Sequence, residues 1–195
     1  MMKYTKEQIN EQRKKFIDSG FEKTEAAISS RRFSYFTLPQ SLNPALPDFA
    51  FRMTEDSKDN YILGVSGSLS EEYRKYVALH EYIEFMEIGA DIAKPENKQD
   101  MFLVLLLGVK QNHIQIPLFD DYKSGRCLEA AKEEWAWVPE EIKKEYAAVR
   151  TRFFENLIAY ASDSGNKSFF TDDDIKEFEK SYAFFGNLLW TMETS

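Results

Sequence analysis

The feature that most constrains the fold is an amphipathic helical segment, residues 71–88, with polar side chains inside its apolar face. On a helical wheel of about 100° per residue, the apolar residues form one broad arc that must face the core: Tyr73, Tyr76, Val77, Leu79, Ile83, Met86 and Ile88. His80, Glu84 and Glu87 fall in the middle of this arc, with Glu81 at its edge. Burying a carboxylate is costly unless it has a partner. The fold must therefore place a metal ion, an arginine or a water-filled cleft opposite this helix.

The fold class predicted from the other periodicities is α+β and predominantly helical. Residues 49–54 and 61–65 have strand composition and flank a polar turn, which predicts a small antiparallel β-hairpin. Amphipathic spacing predicts that a bundle of about five helices follows it, at 71–88, 99–112, 124–138, 140–162 and 172–192. A further helix is predicted at 5–19, and the proline-containing stretch 29–47 is predicted to be a loop. Because no repeat or linker interrupts the chain, residues 1–195 are predicted to form a single globular domain.

Composition excludes several classes of function and compartment. The net charge of −8 makes a nucleic acid an unfavourable partner, since an acidic surface repels phosphates. A single cysteine allows neither an intrachain disulfide nor a cage of thiolates around a metal. Residues 1–16 lack the apolar core of a secretory signal, and the longest apolar run, 101–109, is too short to span a bilayer. The expectation is a cytoplasmic protein without a membrane partner.

The segment His80-Glu81-Tyr82-Ile83-Glu84 resembles the H-E-x-x-H helix of the zincin metallopeptidases. In that family two histidines one turn apart bind zinc, and the glutamate between them activates a water molecule. Position 84 is Glu instead of His, and a carboxylate can also ligate zinc. The resemblance implies a zincin-like core over residues 49–138, zinc bound by His80 and Glu84, and Glu81 as general base. It thus implies a metal-dependent hydrolase, either active, for example as a peptidase, or inactive.

The resemblance is to the gluzincin branch, in which a glutamate from a later helix supplies the third ligand. Glu134 lies inside the apolar arc of the helix predicted at 124–138, so it is the expected third ligand of the zinc. His113, on an irregular stretch, is the alternative. Cys127 shares the arc with Glu134 and is expected to be a small core residue, as cysteines on apolar helical faces usually are.

A purely structural interpretation of the same polar residues is equally open. Arg150 lies within the apolar arc of its own helix, where its guanidinium can pair with Glu84, Glu87 or Glu134. His80 would then be a hydrogen-bonded core residue. The corresponding function is that of a non-enzymatic, acidic interaction protein, of the inhibitor or immunity type, that masks a basic peptide or protein partner.

Overall fold

The computed structural model describes residues 14, 18, 20–42, 48, 50–54, 61–84, 106–108, 113–115, 127–163 and 172–194. Over these residues the fold is α+β and predominantly helical, as predicted. Its strands are β1 (Glu22–Ile28), β2 (Arg31–Leu38), β3 (Ala50–Thr54), β4 (Tyr61–Ser66), β5 (Leu106–Gly108) and β6 (His113–Gln115). Its helices are α1 (Glu71–Tyr82), α2 (Cys127–Ala136), α3 (Lys143–Ser162) and α4 (Asp172–Thr194). Short 3-10 turns lie at Gln40–Leu42 and Glu140–Ile142.

The main sheet has the strand order β1-β2-β4-β3 and mixes both strand directions. Strands β3 and β4 are antiparallel, with Thr54 opposite Tyr61, so the predicted hairpin is confirmed. Strand β2 runs parallel to β4, and β1 pairs with β2 in the antiparallel sense. Strands β5 and β6 form a separate antiparallel pair. The hairpin predicted from the sequence is therefore one half of a larger sheet.

The predicted loop at 29–47 is wrong for Arg31–Leu38, which forms β2. Phe33 and Tyr35 alternate with more exposed residues and are both 3% exposed, which is the period of a half-buried strand. The nearby prolines begin only after this strand ends. A two-residue turn joins β2 to β1, and Ser29 adopts a left-handed φ of 56° there. The alternation of buried and more exposed side chains over these eight residues was thus a better indicator of structure than the loop-like composition around them.

Four of the five helices predicted after the hairpin are present as α1–α4, with ends that differ by a few residues. The prediction of a helix at 99–112 is wrong at Leu106–Gly108, which form β5, and the rest of that stretch lies outside the described residues. Of the helix predicted at 5–19, only Lys14 and Asp18 are described, and both are helical. None of the described helices has both the length and the apolar composition that crossing a membrane requires.

An aromatic core holds the helices together. Helix α1 packs against β2, β3, β4 and α2, while α4 packs against both α2 and α3. Phe185 of α4 is fully buried, and its ring lies 6.0 Å from that of Phe154, 6.2 Å from that of Trp135 and 6.5 Å from that of Tyr146. Rings in these arrangements add to the free energy gained by burial alone. The faces of α1, α2, α3 and α4 therefore converge around a common interior.

We expect Phe185→Ala to lower the free energy of unfolding by about 3–5 kcal/mol, because it removes a buried ring and leaves a cavity. Trp190→Ala is the matched control on the same helix, since Trp190 is 68% exposed. It should change stability by no more than about 0.5 kcal/mol. Urea denaturation followed by circular dichroism measures both, and equal losses in the two variants would contradict this description of the core.

Candidate metal centre

Three helices bring five polar side chains into the core. Helix α1 supplies His80, α2 supplies Cys127 and Glu134, and α3 supplies Tyr146 and Arg150. Each of them is at most 3% exposed. Polar groups this deeply buried are stable only when they satisfy one another. Their contacts therefore decide what this centre can do.

Glu134 is the hub of these contacts, and both of its carboxylate oxygens are engaged. Arg150 donates from Nη2 to Oε2 at 3.1 Å, and its Nε lies 2.8 Å from Oε1 as an ion pair without hydrogen-bond alignment. The Tyr146 hydroxyl donates to Oε1, and His80 Nδ1 lies 2.8 Å from Oε2. The predicted buried pair of Arg150 with a core glutamate is confirmed, and its partner is Glu134. Glu87 lies outside the described residues.

Electrostatics keep this ion pair charged despite its burial. Burial by itself raises the pKa of Glu134, but the Arg150 guanidinium and His80 outweigh it and hold that pKa below its ordinary value. Burial, together with the Glu134 carboxylate, raises the pKa of Tyr146 well above its ordinary value, so its hydroxyl remains a donor. The carboxylate at the hub is therefore ionised and accepts three donors.

Aromatic rings complete the surroundings of the guanidinium. Arg150 Cζ lies 4.8 Å from the ring centre of Phe153, 4.9 Å from that of Phe154 and 5.6 Å from that of Phe185. A cation over ring faces is attracted by their negative π density, and the attraction is larger where water is excluded. The rings thus stabilise the charge that Glu134 balances.

The second nitrogen of His80 faces a different group. Burial lowers the pKa of His80, but Cys127 on one side and the Glu134 carboxylate against Nδ1 outweigh it and hold that pKa well above its ordinary value, so Nε2 must lose a proton before it can bind a metal. This Nε2 lies 3.5 Å from Cys127 Sγ. Donor atoms of His80, Cys127 and Glu84 all lie within 4.8 Å of one another, and Glu84 is 5% exposed. A nitrogen, a sulfur and a carboxylate oxygen therefore converge in the core.

These three side chains are of types that bind zinc, and their donor atoms form a group that could hold a metal ion. In a tetrahedral site with Zn–S of about 2.3 Å and Zn–N of about 2.0–2.1 Å, sulfur and nitrogen lie about 3.6 Å apart. The 3.5 Å between Cys127 Sγ and His80 Nε2 matches that separation. Burial raises the pKa of the Cys127 thiol, so a nearby cation is needed to hold it as the thiolate ligand.

The sequence prediction and the structure agree on part of this centre. His80 and Glu84, two of the predicted ligands, lie together as expected. Glu134, the predicted third ligand, lies on the other side of the His80 ring, where Arg150 and Tyr146 engage it. Cys127 was expected only to fill the core. It is buried, but it also faces His80, and its position seven residues before Glu134 on the same helical face was the available signal.

The contacts in the structure do not test the roles predicted for two further residues, Glu81 and His113. Glu81 is half-buried and follows His80 on α1, so its role as general base stays a prediction. His113, the alternative ligand, lies in β6.

Comparisons with models of known protein families, with curated proteins and with solved structures find no match to this chain. The resemblance to the zincins therefore rests on the motif around His80 and on its setting alone.

We expect Arg150→Met to lower the free energy of unfolding by about 3–5 kcal/mol, because it leaves the Glu134 carboxylate buried without its cation. Combining it with Glu134→Gln should recover about 1–3 kcal/mol relative to the sum of the two single losses, since the stranded charge is then gone. Chemical denaturation of the four proteins in this double-mutant cycle measures the coupling.

Arg152→Met is the matched control, because Arg152 lies on the same helix with 62% of its side chain exposed and its Nη2 3.7 Å from Asp48 Oδ2. It should cost no more than about 1 kcal/mol. Additive effects of the Arg150 and Glu134 substitutions, or a loss from Arg150→Met no larger than that of the control, would show that this pair does not hold the core.

Proposed function

We propose that the chain is a zinc-dependent, zincin-like hydrolase whose metal ion is held by His80, Glu84 and Cys127. The observation that carries this proposal is the convergence of three different donor atoms within 4.8 Å in a buried setting. Imidazole and thiolate are donors that zinc prefers, and a carboxylate completes a mixed set known from zinc proteins. Compared with the ligand set expected from the sequence, Cys127 takes the place of Glu134.

In this proposal Glu134 positions a ligand and does not bind the metal itself. Histidines that bind metals usually donate their other ring N–H to a carboxylate, which fixes the orientation of the ring and increases its basicity. The 2.8 Å contact between His80 Nδ1 and Glu134 Oε2 fits that role. Arg150 and Tyr146 hold the carboxylate in place, so the His80 ring keeps Nε2 directed at Cys127.

The chemistry of the proposed enzyme is hydrolysis of an amide or ester, with a peptide or protein as substrate. Zinc bound there would polarise the scissile carbonyl and make a water molecule more acidic. Glu81 is the residue that accepts the proton of the attacking water, since it follows His80 at the half-buried edge of α1. The expected compartment is the cytoplasm.

A second candidate function is that of an acidic, non-enzymatic interaction protein that masks a basic partner. It is favoured by one observation on the Nε2 side of the His80 ring, namely that the 3.5 Å contact between Cys127 Sγ and His80 Nε2 is within hydrogen-bond range, so these two groups satisfy each other without an ion. The net charge of −8 suits electrostatic attraction to a basic surface.

We expect the purified protein to bind about one equivalent of zinc, and His80→Ala and Cys127→Ala each to abolish binding. Glu134→Gln should weaken affinity about 10- to 100-fold without abolishing it, as loss of a group that orients a ligand does. Glu133→Gln, at a half-exposed neighbouring carboxylate, is the control and should leave affinity unchanged.

Isothermal titration calorimetry gives the affinity of these proteins for zinc, and elemental analysis gives the number of zinc equivalents that each one binds. Wild-type protein that takes up no zinc would refute the metal proposal and leave the interaction protein as the better candidate. Complete loss of binding in Glu134→Gln would instead return Glu134 to the ligand set.

We expect Glu81→Gln to retain zinc and to lower turnover by about 10²- to 10⁴-fold, because the amide cannot accept the proton of the attacking water. A library of quenched fluorescent peptides identifies a substrate with the wild-type protein first. Glu72→Gln, at an exposed position on the same helix, is the control and should hydrolyse that substrate normally. Full turnover by Glu81→Gln would remove Glu81 from the mechanism.

A further inference from the structure

The loop between β4 and α1 is held firmly, although its residues 68 and 70 are exposed. Arg74 of α1 donates from Nε to the carbonyl oxygen of Leu69 at 2.9 Å and from Nη2 to that of Gly67 at 3.1 Å. The N–H of Gly67 donates to the carbonyl oxygen of Leu38, at the end of β2, at 2.7 Å. A Cβ atom at position 67 would lie 3.1 Å from that same oxygen, so glycine allows this close approach. The sheet and the helix therefore fix one conformation of the loop.

The loop begins where binding and catalytic groups are often found. It follows the carboxyl ends of the two parallel strands β2 and β4, where Leu38 and Ser66 are paired. Ligands commonly bind at the carboxyl ends of parallel strands, because the loops there leave a rigid sheet side by side. A side chain of this loop is therefore well placed to act on a molecule that arrives from solvent.

The hydroxyl group of Ser68, an exposed residue of this loop, has a defined orientation. It donates to Oδ1 of Asp48 at 2.7 Å, a length typical of a hydrogen bond to a charged carboxylate. Because its one proton is used there, the hydroxyl of buried Ser66, 2.8 Å away, is the donor to Ser68 Oγ. Ser66 Oγ in turn accepts the N–H of Ser68 at 3.2 Å. Ser68 Oγ thus has a carboxylate on one side and a hydroxyl donor on the other.

The carboxylate of Asp48 is only 9% exposed, and its two oxygens have different neighbours. Oδ1 accepts the Ser68 hydroxyl, and Oδ2 lies 3.7 Å from Nη2 of Arg152. A serine hydroxyl is a weak nucleophile by itself and needs a base within hydrogen-bond distance to take its proton as it attacks. Asp48 and Ser68 have the geometry of such a base and nucleophile.

The start of α1 supplies backbone N–H groups close to this pair in the sequence. Helix α1 begins at Glu71, three residues after Ser68, and its N-cap residue Ser70 makes no side-chain hydrogen bond to the backbone of the first turn. The Ser70 hydroxyl donates instead to the carboxylate of Glu72 at 3.4 Å. The first N–H groups of a helix have no partner within the helix and carry partial positive charge. They can therefore stabilise an oxygen that becomes negative during a reaction at Ser68.

We propose that Ser68 and Asp48 are the nucleophile and the general base of a second hydrolytic site, which acts on carboxylic esters. The site goes beyond the proposed metal function, because Ser68 precedes the start of α1 whereas His80 lies near its end. An ester fits better than an amide, since a carboxylate removes a proton less readily than an imidazole does and an alcohol is the easier leaving group.

The reaction proceeds in two steps, with water as the co-reactant. Ser68 Oγ forms a bond to the carbonyl carbon of the ester while its proton passes to Asp48 Oδ1. The bond from that carbon to the alkoxy oxygen breaks, and the alcohol leaves with the proton, so the acyl group remains on Ser68. A water molecule then attacks the acyl carbon and gives a proton to Asp48. The carboxylic acid is released, and the proton returns to Ser68 Oγ.

The test is labelling of the full chain, in the presence of a chelator, by a fluorophosphonate, which loses fluoride when a nucleophilic serine attacks its phosphorus atom. Peptide mapping by mass spectrometry should find the adduct on Ser68. Asp48→Asn should slow labelling about 10²- to 10⁴-fold, because the amide still accepts the hydrogen bond of Ser68 but cannot take its proton. Asp172→Asn, at an exposed position, is the control and should be labelled at the wild-type rate.

Hydrolysis of p-nitrophenyl acetate, also with the chelator present, measures turnover. Ser68→Ala should lower the rate to that of the reaction without protein, because no nucleophile remains to accept the acyl group. Ser162→Ala removes an exposed hydroxyl at the end of α3 and should hydrolyse the ester at the wild-type rate.

The outcomes separate this site from the metal centre. Wild-type protein without an adduct on Ser68 would overturn the proposal, and this measurement needs no substitution that could disturb folding. Equal labelling rates in Asp48→Asn and its control would show that Asp48 is not the base and would overturn it as well. An adduct or a turnover that requires omission of the chelator would assign the reactivity to the metal centre and refute a second site.

Discussion

The arrangement of the helices depends on one buried ion pair, between Glu134 of α2 and Arg150 of α3. Moving two charges out of water costs several kcal/mol for each ion, and their attraction repays this only when every remaining donor and acceptor is satisfied. Here Tyr146 and His80 complete the contacts of the carboxylate, and phenyl rings surround the guanidinium. Because these groups come from α1, α2 and α3, satisfying one pair fixes three helices relative to one another.

The same pair makes the two sides of the His80 ring chemically different. On the Nδ1 side the carboxylate of Glu134 holds the ring with contacts that need no ligand. On the Nε2 side lies the Cys127 sulfur, and a carboxylate oxygen of Glu84 lies within 4.8 Å of the donor atoms of both residues. The structural interpretation and the metal interpretation therefore share one framework and differ only in what the Nε2 side receives. A buried Arg150 network does not argue against a metal ion, because it acts on the opposite side of the ring.

The sequence predicted that polar residues on several helices meet in the core, but not how they pair. The sequence identifies positions 80, 84, 134 and 150 because each is a polar residue within the apolar arc of its helix. The face on which a residue lies depends only on the sequence of its own helix. Whether Arg150 pairs with Glu84 or Glu134 depends on how helices pack, and no local pattern contains that information. Cys127 was missed for a related reason, since a cysteine in an apolar arc is indistinguishable from a core residue until a histidine lies opposite it. Strand β2 was missed because its short alternation is followed by prolines that favour a loop assignment.

Charge balance favours a divalent ion at the proposed metal centre. The Glu134 and Arg150 charges cancel, so they leave no net charge for an ion to offset. A thiolate at Cys127 and a carboxylate at Glu84 would together carry two negative charges, which one divalent cation neutralises. A monovalent ion would leave one negative charge uncompensated in the core, and a trivalent ion would leave one positive charge. Either uncompensated charge is costly where water is excluded. Burial raises the pKa of the Cys127 thiol, which disfavours the thiolate unless a cation is bound beside it. In the proposed metal centre, ligand deprotonation and metal binding would thus be one coupled event.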